Sequence, residues 1–76
     1  AMFQYLPIQS EVTSPELGTY RAFGLRVFQV QNGVDEEVMI LPDISTSFLF
    51  TLRLAALFTR KQQTPPHLLD VIADFL

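Results

Sequence analysis

Hydrophobic and polar residues alternate with two different periods along this chain, and the change of period divides it into a strand-forming part and a helical part. From Phe3 to Val12 the sequence reads as extended, with Pro7 restricting it to an edge position or a break. Thr13-Ser14-Pro15-Glu16-Leu17-Gly18 is punctuated as a turn. The following run to Gln31 is rich in aromatic and β-branched residues and is bounded by Gly18 and Gly33, which marks the strongest strand. Asn32-Gly33 fits a two-residue type I′ hairpin turn, in which both positions need positive φ. Pairing Gln31 with Val34 then sets Val27 opposite Val38 and Leu25 opposite Ile40, and with Phe23 these form one apolar face. The other face pairs Arg26 with Met39, Phe28 with Glu37 and Val30 with Asp35; a slip by one residue would scramble both. Gly24 falls inside this strand, where it suits a bulge or the close approach of a helix.

The helical part is organised around Asp43 to Lys61. Ser45, with Asp43 and Thr46 as alternatives, supplies the N-cap, and Pro42 is expected to end the strand before it. Arg60 and Lys61 suit the negative end of the helix dipole. At about 100° per residue, Phe48, Leu49, Leu52, Ala55 and Ala56 form one apolar stripe, while Phe50, Leu54, Leu57 and Phe58 form another on roughly the opposite side. A helix of this kind is covered on more than one side. It is too short, and Arg53 too central, for a membrane span of about 20 apolar residues. After it, Thr64 and Pro65 open a second helix, in which Leu68, Val71, Ile72 and Phe75 point inward and Asp70 and Asp74 outward.

The expected architecture is a single α+β domain: a three-stranded antiparallel β-meander with strands about 3–12, 19–31 and 34–41, followed by a helical hairpin with helices about 46–61 and 65–75 packed on one sheet face. Ala1, ahead of Met2, is read as a tag remnant and left out of the fold argument.

Composition sharpens the functional reading. The chain has 76 residues, 49% of them hydrophobic and 17% charged, with seven Phe, two Tyr and no cysteine. So small a domain buries only about 60% of its unfolded surface, and no disulfide or thiolate metal site can help it. Association with another copy would hide the apolar excess. The net charge of −3, with five scattered basic residues, gives little support to binding a phosphate backbone; Arg53, Arg60 and Lys61 would do so only if a dimer joined two clusters. No signal-like segment begins the sequence, so a cytoplasmic location is expected.

Candidate chemistry is sparse. His67, Asp70 and Asp74 share one face of the last helix, and are weak metal candidates because a site needs three or four converging ligands. Ser45, Thr46 and Ser47 have no base beside them, and capping accounts for them. No glycine-rich phosphate loop or zinc spacing is present, so an enzyme is disfavoured and no cofactor is expected. The expected partner is a second copy or another protein, with neither nucleic acid nor membrane. Phe50, Leu54, Leu57 and Phe58 on the helix, or Tyr20, Phe28 and Met39 (with Leu41) on the outer sheet face, are the interface candidates. The alternative is a small-molecule or metal pocket between the helical hairpin and the sheet, near Gly24 and Asp43.

Tyr20-Arg21-Ala22-Phe23-Gly24-Leu25, Asp43-Ile44-Ser45 and the closing His67-Leu68-Leu69-Asp70-Val71-Ile72-Ala73-Asp74-Phe75-Leu76 together resemble a small uncharacterised protein family from Firmicutes. The likeness covers about the last three quarters of the chain, and its closing segment is the most specific piece. It implies a short cytosolic bacterial protein of unknown function, with no catalytic residue to carry over. In that family's pattern an aromatic-Gly strand leads to an Asp-Ile-Ser helix start. The crowded apolar helix departs from it, since more outward charge is expected there.

Overall fold

The computed structural model describes residues 2–76; Ala1, read above as a tag remnant, lies outside them. Strands β1 (Met2–Ser14), β2 (Gly18–Gln31) and β3 (Val34–Ser45) form one antiparallel sheet in the order β1-β2-β3. Helix α1 (Phe48–Lys61) follows, then a 3-10 turn at Pro65–His67 that leads into the short helix α2 (Leu68–Ala73). The fold class is therefore α+β, a meander followed by two helices.

Asn32 (φ 53°) and Gly33 (φ 75°) have the positive φ values that a type I′ turn requires, and Gln31 pairs with Val34 as expected. The expected register holds through Phe28 opposite Glu37. It then shifts: Val38 is an extra residue, so Val27 faces Met39 and Leu25 faces Leu41. A bulge of this kind reverses the facing of everything beyond it. Met39 and Leu41 thus turn inward against the core, and Val38 and Ile40 are exposed, the reverse of the expected sorting. The physical reason is plain in the sequence: Val38-Met39-Ile40-Leu41 offers an apolar residue at every position, so either parity satisfies the core.

A second irregularity sits at Gly24. Phe23 pairs with Ser45 but Leu25 with Leu41, so three residues of β3 stand against one glycine. A Cβ built on Gly24 would lie 1.8 Å from the Leu41 carbonyl oxygen. The neighbour that needs the glycine is thus the backbone of β3, not a helix. Beyond it β3 crosses the outer face: Ser10 Oγ donates to the Pro42 carbonyl (2.7 Å) and the Tyr20 hydroxyl to the Asp43 carboxylate (3.2 Å). Pro42 does not end the strand, because β3 is an edge, where a missing donor costs little.

The helix consequently begins later than expected. Ser47 is the N-cap, accepting from the Phe50 amide (3.2 Å), while Ser45 Oγ accepts from the Ser47 amide (3.0 Å) in the preceding turn. Asp43-Ile44-Ser45 is the end of β3 rather than a helix start. α1 lies across the inner sheet face with Tyr5, Leu25, Val27, Leu54, Ala55 and Phe58 in one core, to which α2 adds Leu68 and Ile72. Phe75, expected inside, is about half exposed, and stands edge-on to Phe58 at the rim (6.1 Å).

Candidate functional site

The helix places its two stripes unambiguously. Leu54 and Phe58 are only 3% and 2% exposed, and Phe50 and Leu57 are half-buried against the same core. The stripe taken as an interface candidate is therefore the one that holds α1 to the sheet. The outward stripe is the other: Phe48, Leu49 and Leu52 are 49%, 53% and 41% exposed. Ala55, grouped with that stripe in the sequence, is buried. With apolar residues on both sides, periodicity alone carries no information about which side is in.

The second set of candidates splits. Phe28 and Tyr20 lie on the outer sheet face as expected, both half-buried, whereas the Val38 bulge turns Met39 inward. The outer face is built by alternation along each strand. β1 contributes Met2, Leu6 and Ile8, β2 contributes Phe28 and Val30, and β3 contributes Ile40 opposite Arg26. Leu6 is 40% and Ile40 52% exposed, and both helices lie on the opposite side. At the centre, Arg26 Nε donates to Glu37 Oε1 (2.9 Å), and the guanidinium sits 5.2 Å from the centre of the Phe28 ring. Leu6, Ile8 and Ile40 belong to this face without being among the candidates the sequence offers; the bulge that exposes Ile40 has no local signature.

One free edge of the sheet is closed by α1. Gln62 Oε1 accepts from the Phe3 amide (2.8 Å), and its Nε2 donates to the Phe3 carbonyl (3.0 Å). Thr59 Oγ1 accepts from the Tyr5 amide (2.9 Å). These side chains take the place of a neighbouring strand over that part of β1. The Tyr5 hydroxyl donates to the Gln63 carbonyl, and burial pushes its pKa up to about 12. Desolvation, followed by the hydrogen bond and charge of Asp43, holds the Tyr20 hydroxyl above its usual value.

Two concavities adjoin the helices. The larger, about 310 Å³, lies between the end of β3 (Leu41, Pro42, Asp43, Ile44) and α2 (Leu69, Ile72, Ala73, Leu76). The smaller, about 100 Å³, is lined by Phe50, Arg53, Leu54, Leu57 and Phe75. His67, Asp70 and Asp74 are all exposed, and among the described residues no three histidine or acidic side chains gather to hold a metal ion. Among those residues no helix is long and apolar enough to cross a membrane.

No curated protein and no solved structure matches the chain. A family profile does, over residues 2–76, which is to say the whole of the meander and both helices. The chain belongs to that family, DUF6514, a family of unknown function.

Proposed function

We propose that this chain is a small protein-interaction module that acts as a homodimer, joined through the outer face of its sheet. The observation that carries the reading is the uncovered row Leu6, Ile8, Phe28 and Ile40 around the Arg26–Glu37 pair. Two sheets stack at about 10 Å through interdigitating apolar side chains, and Leu6, Ile8, Phe28 and Ile40 supply these around the charged pair. A two-fold contact would also set Arg26 of each copy near Glu37 of the other, so one surface supplies both halves of the charge pairing. Three strands over seven residues give a flat area of roughly 14 by 23 Å. That is well short of the about 800 Å² per partner of a standard interface, so the contact is expected to be reversible and dependent on concentration. The setting we infer is the cytoplasm of a bacterium, on the resemblance of the closing helix.

Light scattering over a dilution series, from millimolar to low micromolar chain, tests the proposal. The expected result is a mass falling from two chains to one, and a single chain throughout for Ile40→Lys, whose side chain is already half in solvent. A wild-type chain that stays single up to millimolar concentration overturns it.

A second reading rests on the larger cavity. Its 310 Å³ falls at the lower end of ligand-site volumes, and its lining is almost wholly apolar, which would suit a small aliphatic or aromatic molecule. A thermal-shift screen of such compounds tests it; stabilisation that disappears in Ala73→Phe would assign the cavity, and flat responses would remove it.

A further inference from the structure

The side of the molecule away from the open sheet face has a different chemistry. α1 carries Arg53, Arg60 and Lys61 and no acidic residue. The rest of the chain has Arg21 and Arg26 against eight acidic residues, so a net −3 chain is made of a helix at +3 and a remainder at −6. All three cations are exposed, and they run along the helix from the apolar outward group of Phe48, Leu49 and Leu52. Phe48 is extended by Phe23, whose ring meets it edge-on at 5.4 Å. Leu49, Leu52 and Ala56, with Arg53 and Arg60 beside them, follow the spacing at which one helix face meets another.

We propose that this face of α1 binds an amphipathic helix of another protein, one whose apolar stripe is flanked by Asp and Glu and whose acidic residues crowd its first turn. Charge selects the partner. Laid antiparallel on α1, such a helix puts its N-terminal turn against Arg60 and Lys61. Carboxylates are favoured in that turn by its own dipole as well as by the two cations. A second copy of this chain does not meet the requirement: α1 has no acidic residue, so an antiparallel two-fold contact here would set Arg53 against Arg53 and offer Arg60 and Lys61 no carboxylate from the other helix. A flat anionic membrane meets it poorly. The Gln62–Phe3 bonds hold the end of α1 at the same end of the sheet as the β2–β3 hairpin, where Glu36, opposite Gln29, shares the helix side of the sheet. A planar surface would confront that carboxylate as well as the cations, whereas a helix about 10 Å wide need not.

Fluorescence anisotropy of a labelled synthetic helix of about 18 residues, with a Leu stripe flanked by Glu, titrated with the intact chain, tests the proposal. Saturable binding is expected, weaker by at least about tenfold for Leu49→Gln/Leu52→Gln and for Arg53→Glu, and weakened by salt. The same peptide with Lys in place of Glu should not bind. Circular dichroism and thermal midpoints near wild type would show that these surface variants still fold. Ile40→Lys, which interrupts the proposed dimer, should bind as wild type does, so this site and that dimer fail separately. Absence of saturable binding, equal binding of the Lys peptide, or affinity unchanged in properly folded Leu49→Gln/Leu52→Gln overturns the proposal. So does stronger retention on phosphatidylcholine/phosphatidylglycerol vesicles than on the peptide, abolished by the same variants.

Discussion

At the scale of single residues, Gly24 is the position with no room for change. Any side chain there would start 1.8 Å from the Leu41 carbonyl oxygen, and the obstructing group is backbone, which cannot swing aside. Gly24→Ala should therefore cost more than about 3 kcal/mol or prevent folding, as read by urea denaturation. A cost below 1 kcal/mol would mean that β3 does not cross the strand at this point. Tyr5 gives a prediction in pH. Its hydroxyl is neutral and donating in the fold, with a pKa of about 12, against about 10 in an unfolded chain. The folded value is the higher one, so the contribution is fully present below pH 10 and is lost as pH rises from there to about 12. Tyr5→Phe should remove that alkaline step while lowering stability at neutral pH by about 1 kcal/mol, since the Gln63 carbonyl loses its donor. The sequence offered Gly24 as a bulge or as the close approach of a helix, because a glycine within so apolar and β-branched a strand has few other uses, and the register shift fits the first. What pressed on it was not legible, since the crossing of β3 depends on contacts some 18 residues away.

Among the elements, the join between α1 and β1 shows how a small sheet protects an edge without a fourth strand. Gln62 does two things at once. Its backbone is left-handed (φ 53°) at the helix C-cap, while its side-chain amide bonds both the amide and the carbonyl of Phe3. Two substitutions separate these roles. Gln62→Ala keeps the backbone cost and loses the side-chain bonds, and should destabilise by about 1–2 kcal/mol. Gln62→Gly loses the same bonds but relieves roughly 1 kcal/mol of left-handed strain, so it should lie closer to wild type. In both, the Phe3 amide should exchange its hydrogen faster; unchanged protection would show that the edge is closed by something else. None of this was readable from the Gln62-Gln63 pair, which reads in sequence as a polar stop after the helix. The elements themselves were readable wherever one pattern excluded the other. Asn32-Gly33 defined its turn, and Thr19 to Gln31 its strand. The reading failed where both parities or both stripes were apolar: at Val38-Met39-Ile40-Leu41, where a one-residue bulge decides the facing, and along α1, where Leu54 and Phe58 rather than Leu49 and Leu52 meet the sheet. Helix packing settled α1, because β1 and β2 together offer Tyr5, Leu25 and Val27 on the side from which it approaches.

For the whole molecule, those two ambiguities have a common outcome: apolar side chains remain in solvent on opposite sides. The helices cover the inner sheet face, and the outer face keeps Leu6 and Ile40 open. If a second copy covers it, stability depends on concentration, because unfolding then separates chains as well as melting them. Above the dissociation constant each tenfold rise in concentration adds about 1.4 kcal/mol per dimer, or about 0.7 kcal/mol per chain. For a domain of this size that corresponds to a rise of about 3–5 °C in the midpoint. Scanning calorimetry at protein concentrations a hundredfold apart should therefore show the wild-type midpoint climbing by several degrees. The midpoint of Ile40→Lys should stay fixed, while its value at the lowest concentration stays near that of wild type, since position 40 contributes nothing to the inner core. The Arg26–Glu37 pair refines the expectation. Within one chain it is an exposed contact worth under about 1 kcal/mol, but across a two-fold axis it would be duplicated and partly shielded from water. Glu37→Gln should then flatten the concentration dependence while barely moving the dilute midpoint. A wild-type midpoint that does not move with concentration would mean that the exposed face of the sheet is simply the surface of a solitary chain.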